Sequence, residues 1–99
     1  MVKILNLKHR VRPEDAERFS QYRGLLQRAY HLQRAPTWAA MTFKEQYGHY
    51  PPMAWGRHAV FGKPPPDNAK HDYSRHLSAI ANRLNKDDQW IERYLSMEF

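Results

Sequence analysis

Two proline clusters, Pro51–Pro52 and Pro64–Pro66, interrupt the middle of this 99-residue chain, and neither a helix nor a central strand can run through them. The surrounding segment 48–66, GHYPPMAWGRHAVFGKPPP, holds five prolines and three glycines, but also Trp55 and Phe61, which are costly to leave in water. It is expected to be an ordered connector pinned across its neighbours by those aromatics, with a hinge between two halves as the alternative.

On either side the apolar spacing is helical. From Pro13, a first-turn proline followed by Glu14, Asp15 and Glu17, the residues Phe19, Tyr22, Leu26, Ala29 and Tyr30 fall on one face. Gly24 lies inside this helix, where it costs about 1 kcal/mol relative to alanine or marks a close approach. A second helix starts at Pro36, with Thr37 as its cap, repeats Ala39, Phe43 and Tyr47, and stops at Gly48. Beyond the prolines, a third over roughly 68–85 aligns Tyr73, Leu77, Ile80, Ala81 and Leu84, capped by Asp67 or Asn68. A fourth begins near Asp87 and groups Trp90, Ile91, Tyr94 and Leu95. Only Val2–Leu5 has strand character. The expected class is all-α, about four helices forming two helical hairpins joined by the Pro/Gly-rich loop, in one domain over 1–99 with a tail or short strand at 1–12. Phe19, Tyr22, Phe43, Tyr47, Ile80 and Leu84 are assigned to packing.

Several kinds of chemistry find no support. The chain has no cysteine, so disulfides and thiolate metal sites are excluded and a cytoplasmic setting is expected. The broken apolar run before Lys8, His9 and Arg10 is too short for a signal sequence or membrane span. GRHAVFGKP misses the phosphate-loop pattern, because five residues separate Gly56 from Gly62 and Pro64 replaces the magnesium-binding hydroxyl. His71 and His76 sit five apart, on different helix faces, and His9, His31, His49 and His58 are scattered, so no metal is expected. Ser20, Ser74, Ser78 and Ser96 fall within helices, and the adjacent Asp87 and Asp88 read as helix-start acids. No catalytic residue and no cofactor is expected.

Charge points elsewhere. Residues 1–34 carry eight Lys/Arg against three acids, 35–66 three against one, and 67–99 five against six, so the whole surplus of +6 lies in the first two thirds. Such an uneven surplus suits an anionic partner, nucleic acid first, with a solvated basic surface as the alternative. Arg23, Arg28, Arg34, Lys44, Arg57 and Lys63 are the candidate phosphate contacts, and Trp38 and Trp55 the candidate base-stacking rings, with packing as the competing role for both.

The stretch APTWAAMTFKEQYGHYPP, residues 35–52, resembles the C-terminal accessory region of bacterial and phage DEAD/DEAH-box superfamily 2 helicases of the RadD type, with its KPGWAAxxFKEKFGxWPP run. Pro36, Trp38, Ala39, Ala40, Phe43, Lys44, Glu45, Gly48, Pro51 and Pro52 match, and Tyr47 and Tyr50 replace other aromatics. Ala35 and Thr37 depart from the lysine and glycine of the run, removing one cation. The resemblance implies an excised or stand-alone accessory domain of a DNA-repair helicase, without the two motor domains and so not itself an enzyme. Its implied partners are DNA, single-stranded or duplex, and either the motor domains in cis or a repair protein. An apolar patch of Trp55, Phe61, Trp90 or Phe99 is the expected docking surface for the protein partner.

Overall fold

The computed structural model describes residues 11–99; the expected N-terminal tail or strand lies outside them apart from its last two positions. A 3-10 turn at Pro13–Asp15 leads into α1, Ala16–His31, followed by α2, Pro36–Tyr47. A second 3-10 turn, Met53–Gly56, lies in the connector, and α3, Ala69–Leu84, and α4, Asp88–Glu98, complete the chain. The fold is all-α, with no strand among the described residues. α1 packs along α2 and α3 along α4, giving two helical hairpins.

Local chemistry sets several of the boundaries. Pro36 occupies the first turn of α2, and Gly48, at φ 85°, supplies the left-handed residue that ends it. Asn85 does the same for α3 at φ 61°, and the Asp87 carboxylate caps α4 by accepting from the Trp90 amide at 3.1 Å. Two expected caps are corrected. Ala35, not Thr37, is the N-cap of α2, because Pro36 itself starts the helix. Asn68 does stand at the start of α3, but its backbone is left-handed and its side chain makes no capping bond.

Each hairpin has its own apolar cluster. Tyr22 and Leu26 of α1 meet Ala39 and Phe43 of α2, with Ala59 of the connector closing the cluster and Trp38, Trp55 and Val60 packed around it. Tyr73 and Leu77 of α3 meet Leu95 of α4, flanked by Tyr30, Phe61, Trp90 and Phe99. The connector therefore feeds both clusters. Phe61 reaches Tyr30 of α1 at 5.0 Å, Tyr73 of α3 at 5.6 Å and Phe99 at 5.7 Å between ring centroids, within the range of favourable aromatic pairs. Gly56 is pressed between the hairpins, where a Cβ would meet Met97 Cε at 3.2 Å and Leu26 Cδ1 at 3.5 Å. Leu84 departs from its expected core role: it lies in the last turn of α3, beside the left-handed reversal at Asn85, and stays 43% exposed.

Gly24 has open space around it, with no heavy atom of the described residues within 4 Å of an added Cβ. Gly24→Ala is therefore expected to stabilise the domain by about 1 kcal/mol and to raise Tm by several degrees in a thermal melt. A lower Tm would mean that the position is spatially constrained.

Candidate functional site

Four of the eight candidate residues share one groove. Arg23, Trp55, Arg57 and Lys63 line a cleft of about 860 Å³ between α1, the connector and the end of α4, together with Phe19, Met53, His58 and Met97. Among the described residues no acid lines it. The groove thus combines an apolar floor with cationic walls.

Arg23 is the most constrained of the four. Its Nη1 donates to the carbonyls of Trp55 at 3.3 Å and Arg57 at 2.7 Å, its Nη2 donates to that of His58 at 2.9 Å, and its guanidinium lies 5.0 Å from the Phe19 ring centroid. A rigid fork suits three converging carbonyls of an irregular connector, of which that of His58 also accepts from the Gly62 amide at 3.1 Å. Arg23 fastens the connector to α1, and its charge still contributes to the field of the groove. Gln27, one turn later, donates to the Ala59 carbonyl at 2.9 Å.

Arg57 is exposed, and its Nη1 donates to the Ser96 carbonyl of α4 at 3.3 Å. Lys63 is exposed as well. Between them sits His58, half-buried in a left-handed backbone conformation at φ 56°. Its backbone N–H donates to the Glu98 carbonyl at 3.1 Å, and its Nδ1 is buried without a hydrogen-bond partner among the described residues. Burial, and then repulsion from Arg57, Lys63 and Arg23, hold its imidazole below the ordinary 6.5. His58 is neutral near pH 7.

The opposite side of the connector is held by Glu98, only 2% exposed. Its carboxylate accepts from the Val60 amide at 3.1 and 3.2 Å and from the Phe61 amide at 3.0 Å. Burial raises its pKa, while the Phe61, Val60 and Ala59 amides and the Arg23 charge act in the opposite direction. Neither His58 nor Glu98 carries a motif. One reads from sequence as a loop histidine and the other as an acid at the end of an amphipathic helix.

Trp55 stands edge-on to Phe19 at 5.6 Å and to Phe43 at 6.1 Å, so one side of its indole packs in the core while the residue also lines the groove. Trp38, Arg34, Lys44 and Arg28 do not line it. Trp38 is half-buried in the α1–α2 cluster with the Arg34 guanidinium 5.3 Å from its ring, Lys44 Nζ lies 4.6 Å from the Tyr50 ring, and Arg28 is exposed on α1. Among the described residues no group of three or more His, Cys, Asp or Glu is placed to hold a metal ion, and no helix is long and apolar enough to cross a membrane. His76 packs against Tyr30 and Tyr73 and donates its Nε2 proton to the Arg34 carbonyl at 3.3 Å.

No family model, no curated protein and no solved structure matches this chain.

Proposed function

We propose that this chain is a non-catalytic, nucleic-acid-binding accessory domain, of the kind that the RadD-like run over 35–52 implies for a DNA helicase. The observation that carries the reading is the groove of Arg23, Arg57 and Lys63, lined by no acid among the described residues and floored by Phe19, Trp55 and Met53. Cations there neutralise backbone phosphates, and apolar and aromatic surface beside them accepts bases, which a single strand presents and a duplex hides. The uneven distribution of the +6 surplus adds a long-range attraction to the same end.

Fluorescence anisotropy with a labelled single strand and a labelled duplex at two salt concentrations tests this. Binding is expected to be tolerant of sequence and to weaken steeply with salt. Changing Arg57 and Lys63 together to glutamine is expected to lower affinity and to flatten the salt slope by roughly 1.4, about 0.7 for each single-strand phosphate that is no longer neutralised. Arg23 is unsuitable for this purpose, since its removal releases the connector. Absence of binding at low salt would overturn the reading.

A competing reading, docking on helicase motor domains or a repair protein, draws on a different surface. Met41, Tyr50 and Met53 are 55%, 56% and 50% exposed and line an apolar groove of about 270 Å³. Residues expected for that role from sequence, Trp55, Phe61, Trp90 and Phe99, are half-buried against neighbours. Association through the methionine surface would be insensitive to salt.

A further inference from the structure

The connector turns between His58 and Gly62, with the Gly62 N–H donating to the His58 carbonyl at 3.1 Å, and Arg57, His58 and Lys63 all line the groove. We propose that this corner is a subsite for one backbone phosphate of a single strand, held by Arg57 and Lys63, and that His58 takes up a proton as the phosphate enters. The inference rests on the nucleic-acid reading above and adds to it the position of one phosphate and a proton linkage.

Among the described residues, the charged groups that act on His58 all do so in the same direction in the free protein. From α1 comes Arg23 and from the connector Arg57 and Lys63, all three cations that disfavour the imidazolium. The nearby acid of α4, Glu98, offers His58 only its backbone carbonyl, because its carboxylate is turned to the Val60 and Phe61 amides. The neutral imidazole is thus partly a consequence of the three surrounding cations. A phosphate placed among them cancels that repulsion and supplies an anion for the imidazolium, so the bound state holds its proton more tightly than the free state. Linkage then fixes the sign: affinity rises as pH falls through the bound-state pKa and levels off below the free-state value, with a limit of about tenfold per pH unit for one proton.

The left-handed backbone at position 58 selects the variant. Asparagine tolerates that conformation better than other uncharged replacements and does not titrate, so His58→Asn keeps the turn and removes the proton. Affinity for labelled oligothymidylate would be measured at constant ionic strength near pH 5.5 and near pH 8, about one unit or more either side of the ordinary histidine value. The imidazole shifts of His58 would be followed by NMR with and without the strand.

The expected result is several-fold tighter binding at the lower pH, a His58 pKa raised by the strand, and loss of most of that pH dependence in His58→Asn. Strand binding with the same pH dependence in His58→Asn, or with an unmoved His58 pKa, overturns the subsite while leaving the nucleic-acid reading intact. A duplex bound as tightly and with the same proton uptake overturns its assignment to a single strand. No binding at either pH overturns both.

Discussion

Phe43→Ala is expected to lower the stability of the domain by about 3–5 kcal/mol, a large share of what a chain of this size possesses. The ring has no exposed surface and is enclosed by other aromatics: Tyr22 at 5.8 Å and Trp55 at 6.1 Å edge-on, Tyr47 at 4.7 Å and the His49 imidazole at 5.5 Å. These neighbours come from α1, α2 and the connector, so collapse into the vacated volume would have to move three elements at once. Urea denaturation would read the loss as a lower midpoint with an unchanged m-value. A loss below about 1 kcal/mol would mean that the site relaxes freely and that Phe43 is not the centre of the α1–α2 cluster.

Removal of the buried carboxylate on α4 has the second-largest expected effect. Glu98→Ala leaves the Val60 and Phe61 amides without their acceptor, each at a cost of about 1–3 kcal/mol, and relieves part of that by removing a buried charge. The net loss is expected at about 2–4 kcal/mol, accompanied by faster hydrogen exchange at those two amides. Unchanged exchange there would place the restraint on the connector elsewhere.

The same group has a pH signature. Burial raises its folded pKa above the ordinary 4.5, so between those two values the folded state holds a proton that the unfolded chain releases. That contribution is complete below the unfolded value and is lost as pH rises through the folded one. Glu98→Gln cannot titrate and is expected to show a shallower fall in stability over that window than the parent, measured as urea midpoints across a pH series.

The elements were legible because each rests on local chemistry. The apolar period of Tyr22, Leu26 and Ala29, the prolines at 13 and 36, Gly48 and the Asp87 cap act within one or two turns, and the corresponding helices are present. Short windows are silent where the surroundings in space decide the outcome. Leu84 keeps the helical period of a core residue but lies in a final turn that stays open to solvent. Trp55 and Phe61 pin the connector as aromatics costly to leave in water, but the rings that cover them come from α1, α3 and the chain end, which no short window shows. Arg23 reads as any other cation of a basic helix, and its three hydrogen bonds to the connector depend on carbonyls more than thirty positions away in the chain.

By itself the sequence determined the all-α class, the helix stops at Gly48 and the proline clusters, and the location of the cationic surplus, since propensity, capping and charge are properties of short windows. Tertiary structure alone decided how the Pro/Gly-rich connector is held: Arg23 grips its carbonyls, Glu98 grips its amides, and Phe61 sits among rings from both hairpins. That arrangement brings Arg57, Lys63 and His58 to one groove. Its physical cause is the requirement that an irregular backbone, once buried, find partners for every peptide group, and those partners come from wherever the fold supplies them.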